Sequence, residues 1–118
     1  MQLIKTNNIT VIDCDDTLVM YKDFRVKTKN KIEFDYGDEK IYLTPHKFHI
    51  TFLKHCHKRG DFVVVWSKNG WQWSEQIVKK LGLNKYVNIC MSKPSRHVDD
   101  KKDLPSIVGD GIYLPFEE

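Results

Sequence analysis

Residues 9–18 read ITVIDCDDTL, and this stretch decides the fold because a short apolar, β-branched run ends directly in a cluster of carboxylates. A second apolar run, FVVVW at residues 62–66, ends at Ser67. Strands that are apolar along their whole length are typical of parallel sheets. In such sheets, ligand sites lie just beyond the carboxyl ends of the strands. The two runs therefore predict an α/β fold with a functional site formed by the residues that follow each strand.

Two stretches with helical periodicity follow these strands. Thr44 and Pro45 form the signature of a helix start, and the apolar spacing after them predicts a helix over residues 45–59. Residues 71–81 carry apolar side chains on one side and are followed by Gly82, which predicts a second helix. Strands that alternate with helices indicate a Rossmann-like parallel sheet with helices on both faces.

A hairpin and three weaker strand signals complete the predicted architecture. Residues 20–43 place apolar side chains among polar ones around a turn at Tyr36-Gly37-Asp38, which predicts a small β-hairpin flap. Further strands are predicted at residues 86–91, around His97 and Val98, and at either 107–108 or 112–114.

Length and composition limit the classes of protein that fit. The chain has 118 residues and a mass of 14.0 kDa, which suits one domain over residues 1–118 and leaves no room for a large cap domain. Its net charge of +3 is too small to indicate nucleic-acid binding but is compatible with an anionic substrate. No apolar run approaches the ~20 residues that span a bilayer, and no secretory signal is recognisable. We expect a cytoplasmic protein without a membrane partner.

The acidic cluster after the first strand is a candidate catalytic and metal site. Asp13, Asp15 and Asp16 lie within four residues, and crowded carboxylates need a cation or a proton to limit their repulsion. Because oxygen-only ligands favour Mg²⁺, this is the expected cation. Short acidic turns also occur as helix caps and solvated loops. The residues at the other strand ends are therefore needed to distinguish a catalytic site from a simple turn.

Polar segments follow the later strands as well. Ser67 and Lys68 precede a helix, where a hydroxyl and free backbone N–H groups can contact phosphate. Lys93 follows the third predicted strand and can bring a positive charge to a phosphoryl group. Asp99 and Asp100 come soon afterwards. Each segment also fits a simple helix cap or exposed loop, but the predicted topology would gather all of them in one cleft.

This order of motifs resembles that of the haloacid dehalogenase-like superfamily of aspartate-nucleophile phosphatases, over about residues 9–103. The residues that match its four motifs are, in order, Asp13, Asp15 and Thr17; Ser67; Lys93; and Asp99 with Asp100. The sequences SKP at residues 92–94 and VDDK at residues 98–101 look like the small, capless, phage-type branch, for which the compartment would be the host cytoplasm. Asp110 is an alternative for the fourth motif.

The resemblance implies a two-step phosphoryl transfer. Asp13 would attack phosphorus and form an aspartyl-phosphate, and Asp15 would exchange protons with the leaving group and then with water. Thr17 would orient Asp15. The implied substrate- and phosphate-binding residues are Thr17, Ser67, Lys68 and Lys93, and the implied cofactor is Mg²⁺, held by Asp13, Asp15, Asp99 and Asp100.

The histidines and the first cysteine are assigned no chemical role. His46 and His49 are three residues apart on a helix, but the histidine spacing matches no strong zinc pattern, and solvated helix positions explain them. Cys14 lies between two carboxylates, which disfavour its thiolate, so we predict a packed core residue.

The substrate is predicted less specifically than the reaction. Trp71 or Trp73 can stack on a nucleobase, and basic residues alternate over residues 25–31, so a nucleotide or nucleic-acid terminal phosphate is the preferred substrate. Other phosphorylated small molecules remain open. Two alternative functions are a non-catalytic module that binds metal or a phosphorylated ligand, and a receiver-like signalling domain. The second is disfavoured because the phosphorylated aspartate of receivers follows the third strand.

Overall fold

The computed structural model describes residues 8–22, 30–100 and 111. Within them, the chain forms a three-stranded parallel sheet, two α-helices and a three-stranded antiparallel sheet, which confirms the predicted α/β class. In chain order the elements are β1 (Ile9–Asp13), β2 (Val19–Met20), β3 (Ile32–Tyr36), β4 (Glu39–Pro45), α1 (Lys47–Lys58), β5 (Phe62–Ser67), α2 (Trp71–Lys80), a 3₁₀ turn (Asn84–Tyr86) and β6 (Ile89–Ser92).

The parallel sheet brings the ends of three strands to one edge. Its strand order is β1-β5-β6, so β5 lies in the centre. Asp13 pairs with Trp66, and Ser67 pairs with Ser92. The residues that follow β1, β5 and β6 therefore start from neighbouring positions at the same edge of the sheet, as the sequence predicts.

Both helices pack on the same face of this sheet. Ile12 and Val65 point to that face and are buried in one cluster with Leu53 of α1 and Ile77 of α2. The alternate residues of β1 and β5 point the other way, and Ile9, for instance, is 61% exposed. A helix on this second face stays a prediction. No helix in the described part of the chain is long and apolar enough to cross a membrane.

The first helix begins later than predicted. Thr44 and Pro45 belong to β4, where they pair with Met20 and Val19, so their predicted role as helix start is wrong. The N-cap of α1 is His46, whose ring accepts a hydrogen bond from the backbone N–H of His49. Pairing within the antiparallel sheet takes precedence over the local helix-start signature.

The second helix matches its prediction to within one residue. Its N-cap is Gly70, with φ of +102°, a conformation that side chains rarely adopt. The alternative interpretation of the segment at Ser67 and Lys68 as a simple helix cap is therefore wrong. Gly82, with φ of +70°, follows the helix and allows the chain to turn.

The predicted hairpin is present and is docked against α2. β3 and β4 pair around a turn that contains Gly37, and β2 pairs with the other edge of β4. The side-chain amide of Gln76 on α2 bonds both backbone groups of Asp35, at 2.7 and 2.9 Å. This contact ties the hairpin to the helix that begins beside Ser67. In the basic segment at residues 25–31, residues 25–29 lie outside the described residues.

The later strand predictions have mixed outcomes. The strand predicted at residues 86–91 begins later than expected. The 3₁₀ turn comes first, and β6 starts at Ile89. The strand predicted around His97 and Val98 is wrong, because these residues form no strand and Val98 is fully exposed. The predicted strands at 107–108 and 112–114 lie outside the described residues.

Candidate active site

The chain turns sharply after β1. The carbonyl of Cys14 accepts backbone hydrogen bonds from Leu18 at 2.9 Å and from Thr17 and Val19 at 3.2 Å each. Asp16 sits at the tip with φ of +58°, a left-handed conformation that aspartate tolerates better than most residues. The turn keeps Asp13 and Asp15 together at the end of the strand.

Cys14 is fully buried beneath this turn. Burial raises the pKa of its thiol to about 12, and the carboxylates of Asp15 and Asp13 act in the same direction. The thiol therefore stays protonated, and the prediction that Cys14 is a packed core residue is confirmed.

Asp15 is the most heavily hydrogen-bonded carboxylate of the site. Its Oδ1 accepts from the Tyr21 hydroxyl at 2.7 Å, from the Trp73 indole N–H at 2.9 Å and from the Asn69 side-chain amide at 3.4 Å. Its Oδ2 accepts from the Ser67 hydroxyl at 2.6 Å. The carboxylate is thus fixed by side chains from four different positions of the fold.

Asp13 is half-buried, and two lysines act on it. Burial raises the pKa of its carboxyl above the ordinary value, whereas the charges of Lys93 and, more weakly, Lys68 lower it. The neighbouring charge of Asp15 adds to the upward shift. Lys93 and Lys68, the two predicted phosphate-binding lysines, therefore lie close enough to Asp13 to affect the pKa of its carboxyl.

Ser67 links the sheet, α2 and the segment that carries Lys93. Its hydroxyl bonds Asp15 and accepts a hydrogen bond from the backbone N–H of Asn69 at 3.0 Å. Its carbonyl accepts from the backbone N–H of Gly70 at 3.1 Å and from that of Lys93 at 2.8 Å. These contacts bring the Ser67 hydroxyl and the backbone of Lys93 to the acidic turn, and the phosphate-binding roles of both residues stay predictions.

A buried histidine pair supports the turn from behind. The ring Nδ1 of His49 lies 2.6 Å from the carbonyl of Thr17, and because a carbonyl can only accept, Nδ1 carries the hydrogen. The rings of His46 and His49 stack 3.6 Å apart, and both residues are buried. Their predicted solvated positions are therefore wrong. The spacing of His49, Leu53 and Cys56 at i, i+4 and i+7 is a sequence signal that could have placed His49 on the buried face.

The predicted fourth motif forms no metal-binding cluster with the other motifs in the described part of the chain. Asp99 and Asp100 are exposed and lie in a segment without regular secondary structure. Among residues 8–22, 30–100 and 111, no three His, Cys, Asp or Glu side chains lie close enough together to hold a metal ion. Asp110 lies outside the described residues.

The donors near Asp13 nevertheless suit one kind of ion. Asp13 and Asp15 offer oxygen ligands only, and Asp13 is a partly desolvated carboxylate beside positive charge. Mg²⁺ in phosphate-handling sites is held by one or two carboxylates, waters and the substrate phosphate itself, so the Asp13 carboxylate together with the backbone carbonyl of Asp15 would be sufficient. The chemistry of these residues fits Mg²⁺.

Three side chains that donate hydrogen bonds to Asp15 are not predicted from the sequence as its partners. Tyr21 and Asn69 carry no pattern that marks them. Trp73 is predicted as a candidate for stacking on a nucleobase, and at 5% exposure it is a core residue instead. A buried indole N–H needs an acceptor, and this rule could have suggested a polar partner for Trp73.

Comparison with known proteins adds one match. The family model described as NLI interacting factor-like phosphatase, a phosphatase family of the haloacid dehalogenase-like type, matches residues 8–108. No curated protein and no solved structure matches the chain.

Proposed function

Because the chain belongs to the NLI interacting factor-like phosphatase family, we propose that it is a Mg²⁺-dependent phosphomonoester phosphatase with Asp13 as nucleophile. The observation that carries this proposal is the grouping at one sheet edge: Asp13 at the end of β1 with Asp15 just beyond it, Ser67 at the end of β5, and Lys93 directly after β6. Two carboxylates, a hydroxyl and a lysine are the groups that an aspartyl-phosphate mechanism needs.

In the first proposed step, a carboxylate oxygen of Asp13 forms a bond to phosphorus as the bond to the leaving oxygen breaks. The leaving oxygen takes the electron pair of that bond and a proton from Asp15. Lys93 and Lys68 reduce the repulsion between the Asp13 carboxylate and the anionic phosphate, since both act on Asp13 electrostatically.

In the second proposed step, a water oxygen attacks the same phosphorus and gives a proton to Asp15. The bond between phosphorus and Asp13 breaks, its electron pair returns to the Asp13 carboxylate, and inorganic phosphate leaves. Asp15 is then protonated again and ready for the next substrate. The same carboxyl serves as acid and as base, so its position matters in both steps.

Asp13 and the backbone carbonyl of Asp15 would hold Mg²⁺, with Asp99, Asp100 or Asp110 as proposed further ligands. When bound, Mg²⁺ would supply positive charge at the transferred phosphoryl group. The proposal rests on the oxygen-only donors at the end of β1 and on the family, not on a metal cluster within the described residues.

The proposed substrate carries its phosphate at the end of a larger molecule. A groove of about 340 Å³ lies between the hairpin turn and the start of α2, and Asn69, which also contacts Asp15, lines it. Trp71, at the start of α2, is 50% exposed, so it is the tryptophan available for stacking. We therefore propose a nucleotide or nucleic-acid terminal phosphate as substrate. We also propose that the chain belongs to the small, capless, phage-type branch of the haloacid dehalogenase-like superfamily.

The test is phosphate release from p-nitrophenyl phosphate, mononucleotides and 3′- or 5′-phosphorylated oligonucleotides, with Mg²⁺ or EDTA. Asp13→Asn should lower turnover at least about a thousandfold, because it removes the nucleophile. Asp16→Asn is the matched control, since it removes the adjacent exposed carboxylate and asparagine tolerates the left-handed backbone there. Its turnover should stay within about twofold of the wild type.

Two results would contradict the proposal. Full activity of Asp13→Asn would exclude Asp13 as nucleophile. Mg²⁺-dependent binding of phosphorylated ligands, with no release from any substrate, would favour the non-catalytic binding module instead.

A further inference from the structure

We propose that Tyr21 and Trp73 are positioning residues that hold Oδ1 of Asp15, so that Oδ2 is the oxygen that exchanges protons during the reaction. This inference rests on the proposed phosphatase function and adds to it the atom that acts and the residues that select that atom. Neither residue belongs to the motifs that mark the site in the sequence.

The two oxygens of Asp15 have very different surroundings. Oδ1 accepts three hydrogen bonds, from Tyr21, Trp73 and Asn69, at 2.7, 2.9 and 3.4 Å. A carboxylate oxygen offers about two lone-pair positions, so these donors fill its capacity. Within the described residues, Oδ2 accepts one hydrogen bond, from Ser67, and it keeps room for a second partner.

The donors to Oδ1 come from well-supported parts of the fold. Trp73 is buried on α2, and its ring packs at 5.7 Å from that of Phe34 and edge-on at 5.4 Å from that of Tyr36. Tyr21 follows β2, and its backbone N–H bonds the Asp16 carboxylate at 3.3 Å. Because the donors reach Asp15 from α2 and from the hairpin sheet, they restrict rotation of the carboxylate from two sides.

Ser67 makes the arrangement responsive to substrate. Its hydroxyl has one hydrogen, which it now donates to Oδ2 at 2.6 Å. A phosphate oxygen bound at Ser67 would compete for that hydrogen. Oδ2 would then face the leaving oxygen, while Tyr21 and Trp73 keep Oδ1 in place.

The test compares two substrates whose leaving groups differ in their need for a proton. p-Nitrophenolate leaves with little protonation, whereas the alkoxide of an alkyl phosphate such as glycerol phosphate needs it. In Tyr21→Phe and Trp73→Phe, kcat/KM for the alkyl phosphate should fall about tenfold or more, and that for p-nitrophenyl phosphate about twofold or less. The ratio kcat/KM reports enzyme phosphorylation whatever the rate of the later hydrolysis.

Inhibition by inorganic phosphate measures phosphate binding in the same experiment. The inhibition constant of phosphate should be the same in Tyr21→Phe, Trp73→Phe and the wild type. Tyr42→Phe is the matched control, since Tyr42 is an exposed tyrosine of the same antiparallel sheet. It should leave both substrates unaffected. Trp73→Phe alters the core, so its folding is checked by circular dichroism. Tyr21 is 43% exposed, so Tyr21→Phe decides alone if Trp73→Phe does not fold.

The possible outcomes separate this inference from the proposed function. Equal losses on the two substrates would indicate a merely structural role for Tyr21 and Trp73, and unchanged activity on both would exclude any role. Either result, with an active wild type that requires Asp13, overturns the inference alone. A wild type that releases no phosphate overturns the function and the inference together.

Discussion

At the scale of single residues, burial and charge act in opposite directions on Asp13. Burial raises the pKa of its carboxyl, and the charge of Lys93 is the largest influence that lowers it. A nucleophile must be ionised, so the acidic limb of the pH–rate profile should report this balance. In the proposed mechanism Lys93 would therefore have two effects, since it would attract phosphate and would favour the ionised form of Asp13.

Lys93→Met is expected to change the pH profile as well as the rate. Without the lysine charge, the pKa of Asp13 rises further, so activity should be lost at a higher pH as the solution is acidified. Turnover in the neutral range should fall about a hundredfold or more, as when other charge-stabilising groups are removed. The measurement is kcat/KM across the acidic and neutral range.

Lys79→Met is the control for this change, because Lys79 is an exposed lysine of α2 whose charge is absent from the influences on Asp13. Its profile should overlay that of the wild type. An acidic limb that does not move in Lys93→Met would show that Asp13 is not the group that titrates there.

The residues of the candidate site fall into two groups. Some can be located from the local sequence, and others only from the tertiary structure. Asp13, Asp15 and Ser67 follow apolar runs directly, so strand ends alone locate them. Tyr21, Asn69 and Trp73 reach Asp15 through the tertiary structure. Their contacts depend on how the hairpin and α2 dock, which no spacing in the sequence encodes.

At the scale of elements, α1 is coupled through His49 to the acidic turn that follows β1. The hydrogen bond from its Nδ1 to the Thr17 carbonyl is buried, and His49 lies on the helix face that packs into the core. His49→Leu replaces the imidazole by an apolar side chain of similar size. The Thr17 carbonyl then loses this hydrogen-bond donor. We expect a loss of about 1–3 kcal/mol in the free energy of unfolding.

His49→Asn supplies the comparison, because an asparagine amide N–H can occupy the position of the histidine Nδ1–H. It should recover part of the stability and of the activity that His49→Leu loses. Chemical denaturation and phosphate release measure the two effects. Equal stability of His49→Leu and the wild type would mean that this hydrogen bond contributes little to holding the turn.

The elements also show where local signals fail. Thr44 and Pro45 carry a strong helix-start signature, yet their pairing with β2 keeps them in a strand. The helix begins two residues after Pro45, at Lys47, and a buried histidine caps it. Strand pairing over long distances in the chain decides such boundaries, and this pairing is not visible in local sequence.

At the scale of the whole molecule, one buried carboxylate connects α1 with the sheet. Asp61 accepts hydrogen bonds from the Thr10 hydroxyl at 2.7 Å and from Arg59 Nε at 2.9 Å. The hydrogen bond from Arg59 is the largest cause that holds the pKa of Asp61 below its ordinary value. These contacts join the end of α1, the start of β5 and the neighbouring strand β1.

The direction of this pKa shift predicts an acid-dependent stability. A carboxyl whose pKa is lowered by folding stabilises the protein above its ordinary pKa, and that contribution is lost as the pH falls through the lowered value. Asp61→Asn should therefore be less stable than the wild type at neutral pH, and the difference should shrink in strong acid. Urea denaturation at several pH values measures it.

Asp38→Asn is the matched control, since Asp38 is exposed in the hairpin turn. It should follow the wild type at every pH. A constant difference between Asp61→Asn and the wild type, from neutral to strongly acidic solution, would contradict the role given to the Asp61 carboxylate.

The general architecture is predictable from sequence because apolar strands and amphipathic helices alternate in it. The fully apolar run at 62–66 becomes the central strand β5, where both of its edges are paired. The weak signal at His97 and Val98 fails because a single apolar residue is insufficient to fix a strand, and Val98 contacts no core. Long apolar runs thus predict the sheet well, whereas isolated apolar residues do not.

The central claim is that Asp13 becomes phosphorylated during turnover. Its most direct test is to mix the enzyme with Mg²⁺ and p-nitrophenyl phosphate, quench in acid, digest, and locate phosphate by mass spectrometry. We predict one phosphate on the peptide that contains Asp13, at higher occupancy in Asp15→Asn, where hydrolysis lacks its base, and none in Asp13→Asn. Phosphate on another residue, or continued turnover with no phosphorylated peptide in wild type or Asp15→Asn, would contradict the account.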